Sequence, residues 1–163
     1  MALSRLTDRR GVTLLELTIA IAVIAIAAAI GIPNYIKSKP TRNLKAGARD
    51  VFSEFQRARM NTVSVYRAHR VFFDIDNDTY ILQRGNAPAT ADCTTWVPVD
   101  IAANSLPTLV DFEVINGNTT GTFVQPFNVN GTAQAVNVRL LNTRGERYEI
   151  TVSNAGRIQM QKI

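Results

Sequence analysis

The chain is poor in the residues from which reactive sites are usually built. It has one cysteine, Cys93, and one histidine, His69, in 163 residues. A single cysteine excludes an intrachain disulfide, so Cys93 reads as a small loop residue, with an intermolecular bridge as the alternative. A single histidine excludes zinc sites that need two imidazoles, and no fingerprint names a nucleophile with its base. His69 is expected at the surface or capping a helix. There is no glycine-rich phosphate loop. Acids are the scarcer charge, 13 against 18 lysines and arginines. The sequence implies no enzyme and no cofactor.

What the chain does have is length in one apolar run, Val12 to Ile32, broken only by Glu16. About 20 such residues at 1.5 Å each cross the ~30 Å hydrocarbon core of a bilayer. An ionised side chain at its centre costs roughly 2.5–3.5 kcal/mol even on insertion scales, so a carboxylate there calls for a partner. Three readings compete. A secretory signal would use Ala27-Ala28-Ala29 as its cleavage site, but the apolar pattern continues through Ile30, Ile32, Tyr35 and Ile36. A plain anchor explains the length, though neither Glu16 nor the Arg9-Arg10-Gly11 junction. The third reading is a prepilin-type segment.

At these residues the chain resembles the class III signal of type IV pilins and type II secretion pseudopilins. The motif reads Arg10-Gly11, then Val12-Thr13-Leu14-Leu15-Glu16, then the apolar helix. The resemblance implies cleavage by prepilin peptidase between Gly11 and Val12, N-methylation of Val12, and pairing of Glu16 with a neighbouring subunit's N-terminal amine during assembly. Val12 stands where the family usually has Phe. Basic Arg5, Arg9 and Arg10 favour cytoplasmic retention of the leader. That orientation makes a single-pass protein of the bacterial inner membrane, with a periplasmic C-terminal domain that later enters a filament.

Residues 1–11 are thus expected as leader, 12–32 as membrane and filament-core helix, 33–67 as an amphipathic spine, and 68–163 as an antiparallel β domain. About 130 residues outside the membrane suffice for one domain. Pro33, after Gly31, is expected to kink or locally melt the helix, as a similarly placed proline does in pilins, which makes it a second candidate assembly residue beside Glu16. Leu44, Ala48, Val51, Phe52, Phe55 and Ala58 recur at helical spacing. Strand patterns follow: Arg70–Asp74 and Thr79–Gln83 around an Asn77-Asp78 turn, then 109–115, 121–124, 135–141, 147–152 and 157–161. Asp92–Leu106, with Trp96 and Pro98, reads as a long loop. A long helix packed on antiparallel sheet is an α+β architecture.

The C-terminal half resembles the minor pilins and pseudopilins of the GspH/FimT family. The resemblance rests on Arg57-Ala58-Arg59, the strand at Val71, Phe127–Gly131, Asn137–Leu140 and Ser153-Asn154-Ala155-Gly156-Arg157. It implies a type IV pilin-like fold and a structural minor subunit of a pilus or secretion pseudopilus, with the filament tip as one position for it and other major and minor pilins or pseudopilins as partners. A rival function is DNA uptake in natural transformation. For it, Arg139, Arg144, Arg147, Arg157 and Lys162 are the candidate contacts, meeting phosphates nonspecifically, although the family's second arginine after Gly156-Arg157 is Gln159 here. Asp74, Asp76 and Asp78 imitate the start of a calcium loop. Thr79 and Gly85 break that pattern at its sixth and twelfth positions, and a solvated acidic turn fits equally.

Overall fold

A computed structural model describes residues 13–88 and 93–163. The leader, Gly11 and Val12 lie outside the described residues. The chain divides into two compact units, Met1–Ser38 and Lys39–Ile163, and one helix, α1 (Leu14–Val65), contributes to both.

α1 begins where the sequence supplies a cap. The Thr13 hydroxyl accepts the backbone N–H of Glu16 at 3.2 Å, and Glu16 stands three residues on, the threonine-x-x-glutamate spacing of a capping box. An acid in the first turn also suits the positive end of the helix. Pro33 and Pro40 both lie within the helix, which is assigned without a break through either. The helix is thus not interrupted at Pro33. A proline deletes one i to i−4 hydrogen bond, and the bonds of the adjoining turns keep the helical path here.

In the second unit, α1 packs its buried side chains three and four residues apart: Leu44, Ala48, Val51, Phe55, Ala58 and Thr62. They face two antiparallel sheets rather than one. The first is ordered β3-β2-β1-β6, with β4 also on β2; the second is β5-β7-β8-β9. The strands are β1 (His69–Asp74), β2 (Thr79–Gly85), β3 (Trp96–Pro98), β4 (Asn104–Ser105), β5 (Val110–Ile115), β6 (Thr122–Phe127), β7 (Val136–Asn142), β8 (Arg147–Val152) and β9 (Ile158–Lys162). Alternation fixes their faces: β1 buries His69, Val71 and Phe73, and β7 buries Val136, Val138 and Leu140. The two sheets share one core. Phe73 of β1 meets Phe55 of α1 and Phe112 of β5, each with centroids 5.6 Å apart.

The stretch expected as a loop from Asp92 to Leu106 contains β3 and β4. Both are too short to show a period, and Pro98 disguises the first; the edge of β2 supplies their pairing at Gly85–Gln83 and Tyr80–Thr79. Cys93 sits against Gly85, its Sγ where a β-carbon would stand, so this strand end needs glycine.

Candidate assembly surface

Among its described residues the first unit has no buried side chain. Leu14 is 81% exposed and Ile30 is 73% exposed, and Leu17, Ile21, Ile24 and Ile26 are exposed between them. The helix here is long and apolar enough to cross a membrane, and none of that window is buried in the protein. A helix apolar on every side belongs in lipid or among other helices. Its single carboxylate, Glu16, is exposed at the capped start. The capping residue Thr13 went unnoticed in the sequence, although the Thr13-x-x-Glu16 spacing signals it.

Three of the family-like signatures, at Arg59, Gly131 and Asn154–Gly156, meet at the far end of the spine. Arg59 of α1 donates Nε–H to the Gly131 carbonyl at 3.0 Å. Gly156, with φ of +73°, brings its α-carbon against the same carbonyl oxygen, where a β-carbon would overlap it. Asn154 accepts Ala133 N–H through its backbone and Ala135 N–H through its side chain. Three separate stretches of sequence are thus tied into one junction. The start of the spine is held by a network that no motif announced. Thr41 donates to Glu146 Oε2 at 2.6 Å, while Lys162 and Asn142 reach the same carboxylate at 2.8 Å. Those bonds, from Lys162 first and then Thr41 and Asn142, hold the Glu146 carboxyl down to about 2.

The basic residues expected to form one DNA-facing patch are differently employed. Arg139 holds Glu149 at 3.1 Å, Arg147 holds Glu113 at 2.8 Å and Lys162 holds Glu146. Arg144 and Arg157 have no ion pair among the described residues. The three aspartates of the β1–β2 turn have separate tasks as well. Asp74 accepts from Asn77, Asp76 from Gly121 N–H, and Asp78 from Phe112 N–H at 2.8 Å. No group of three metal-ligating side chains exists among the described residues, so the calcium pattern resolves into turn and loop closure.

His69 is neither at the surface nor a cap. It is 3% exposed, and its Nδ1 lies 2.9 Å from the Arg67 carbonyl, which makes Nδ1 the donor. Burial pushes its pKa down, and the Arg84 charge adds to that. One carboxylate is left in poor company: Glu54, 6% exposed, has an Oε1 with no hydrogen bond. Arg57 Nη1 stands 3.7 Å from it, past hydrogen-bond range, because that guanidinium grips Asp100 with two bonds of 2.7 and 2.8 Å. Burial raises the Glu54 pKa, and the hydrogen bond from Arg57 lowers that of Asp100. The Arg57–Asp100 pair straps the segment after β3 to the spine.

The chain thus combines a capped apolar helix, long enough to cross a membrane, with a domain in which the same helix backs two antiparallel sheets. Residues 6–32 match the family model described as the prokaryotic N-terminal methylation motif. The type IV major pilin protein PilA of Myxococcus xanthus (strain DK1622) is 42% identical over 81 residues, covering 49% of this chain and 31% of that protein. The match therefore spans about a third of that relative's length. The minor pseudopilin EpsH from the type 2 secretion system of Vibrio cholerae superposes with a TM-score of 0.58, at 11% identity, over 74% of this chain and 97% of that one. GspH of E. coli gives 0.55 at 12% identity, over 74% and 89%. The type IV minor pilin FimU of Pseudomonas aeruginosa PAO1 gives 0.52 at 17% identity, over 74% and 90%. The chain thus carries the fold of these pilins and pseudopilins behind a segment that matches the N-terminal methylation motif.

Proposed function

We propose that this chain is a minor structural subunit of a type IV pilus or a type II secretion pseudopilus. Prepilin peptidase cuts between Gly11 and Val12, and the new N-terminus at Val12 is methylated. The helix from Val12 holds the subunit in the inner membrane with the second unit in the periplasm, until it joins other pilins or pseudopilins in a filament. The observation that carries this reading is the helix from Leu14 to Ile36: apolar on all sides, uncovered, and charged only at Glu16. An acid unpaired in lipid is unfavourable, and one that meets a neighbour's amine is not, so Glu16 sets the register of the incoming subunit. Support for assembly over DNA binding comes from the C-terminal cations, three of whose five members hold carboxylates.

The test separates charge from capping. Glu16→Gln keeps a side chain that serves at the third helical position of a capping box and removes only the charge. We expect Glu16→Gln and Glu16→Ala both to fractionate with the membrane and both to be missing from sheared filaments. Normal incorporation of the glutamine variant would overturn the pairing role.

A further inference from the structure

On β2 the buried order Tyr80, Leu82 gives way to Arg84, which is exposed at the end of the core. Its direct partner across β1 is His69, which continues the inward order of Phe73 and Val71. Both sit beside the last turn of α1, which ends at Val65. The chain leaves α1 through Tyr66, at φ of +54°, and returns Arg67 to the same place. The result is a cavity of about 380 Å³ lined by Asn61, Val65, Arg67, His69, Arg84 and Pro98, together with Val99. No carboxylate among the described residues lines it. Neither Arg67 nor Arg84 has an ion pair or a side-chain hydrogen bond among them.

We infer that this cavity is an oxyanion site for a phosphate group. Two guanidinium donors and one imidazole acceptor approach from three elements (the α1–β1 connection, β2 and β1), which suits a tetrahedral hydrogen phosphate, with several acceptor oxygens and an O–H, better than a planar carboxylate. His69 Nδ1 donates to the Arg67 carbonyl, so Nε2 of the neutral ring carries the lone pair and meets the ligand as an acceptor, for the O–H of a hydrogen phosphate. The groups facing His69 are Arg67, Arg84 and the Asn61 amide, all of them cationic or neutral. The last carbonyls of α1 oppose an anion with about half a charge, which two unpaired arginines outweigh. Val65, Pro98 and Val99 leave an apolar wall for whatever carries the phosphate. The cavity is separate from the C-terminal cations considered for DNA.

The full chain in detergent micelles, titrated with inorganic phosphate at constant ionic strength against chloride, tests this. His69 is the single histidine, so its ring ¹⁵N signals are unambiguous. We expect them to shift saturably, with affinity reduced about tenfold in Arg84→Gln, the loss of one charge-assisted hydrogen bond. Lys45→Gln, on an exposed part of the spine four turns earlier, should bind as the unaltered protein does. Arg67→Gln, outside both sheets, gives a second variant should Arg84→Gln misfold. No saturable His69 shift into the tens of millimolar, or equal weakening in Lys45→Gln, overturns the site. A short DNA duplex distinguishes the source: displacement of bound phosphate assigns the site to a nucleic-acid backbone, and its failure assigns it to dissolved phosphate.

Discussion

α1 is one helix that meets two kinds of surroundings. From Leu14 to Ile36 its large apolar side chains are exposed in every direction. From Leu44 to Thr62 its apolar side chains form a stripe with no exposure at all at Leu44, Ala48, Val51, Phe55 and Ala58. The first stretch carries Glu16 alone; on the second, Lys45, Arg49 and Asp50 occupy the exposed side. Helical propensity does not separate them. The difference lies in where the apolar surface goes: the first leaves it exposed, for the lipid or other subunits of the proposed function, and the second packs it into the protein's own sheets. A stripe stabilises one domain; an unbroken apolar circumference needs an external partner.

The sharpest way to break that comparison is to make the same truncation in each stretch. Leu44→Ala should lower the stability of the second unit by about 2–5 kcal/mol, since it empties a fully enclosed site. Ile24→Ala should change it by less than about 0.5 kcal/mol, as expected for a position without packing in that unit. Urea unfolding of the full chain in detergent, followed by Trp96 fluorescence, reads both. If Ile24→Ala shifts the midpoint as far as Leu44→Ala, the two stretches are not energetically separate.

This contrast was legible in the sequence, because both patterns are local. An all-round apolar run and a three-four stripe announce themselves, as do the long alternating strands 147–152 and 157–161. β3 and β4 were hidden because three-residue and two-residue strands are defined by their partner, not by their own period. The capping role of Thr13 was visible as a spacing. His69 lies one residue before the strand that the sequence suggests at 70–74; extending that strand by one puts it on the buried side with Val71 and Phe73. Cross-chain partners were invisible: nothing near Thr41 points to Glu146, and charge alone could not show that Arg139 and Arg147 already hold acids.

A smaller effect tests whether the spine's buried stretch depends on its far junction. Gly156→Ala should destabilise the second unit by about 1–3 kcal/mol. A left-handed φ disfavours any β-carbon, and this one would strike the Gly131 carbonyl that Arg59 binds. The turn would have to open and loosen the Arg59 bond. A thermal midpoint unchanged from the parent protein would mean that the junction adjusts freely and that the spine is secured by its apolar stripe alone.

The smallest expected effects sharpen the comparison within the buried stretch, through two acids shifted in opposite directions. Glu146, at the spine's start, is held at about 2 against an ordinary 4.5 by Lys162, Thr41 and Asn142. Its folded pKa lies below its unfolded one, so its contribution is present above pH 4.5 and is lost as the pH falls toward 2. The side chain is 27% exposed, so solvent screening limits the gain to under about 1 kcal/mol. Glu54, inside the spine's packed face, is raised by burial. Its folded pKa lies above its unfolded one, so folding is favoured below pH 4.5 and loses that contribution as the pH rises through the folded value. Glu146→Gln should therefore flatten the loss of stability between about pH 5 and pH 2. Glu54→Gln should raise stability at pH 7 by up to about 1 kcal/mol, because a neutral amide is less costly to bury than a carboxylate with an unbonded oxygen. Unfolding midpoints of both variants from pH 2 to pH 8 check the signs. If Glu54→Gln is less stable than the parent at pH 7, Arg57 is compensating the Glu54 charge across 3.7 Å. The buried stretch would then owe part of its stability to an ion pair, as well as to the apolar contacts that set it apart from the stretch before it.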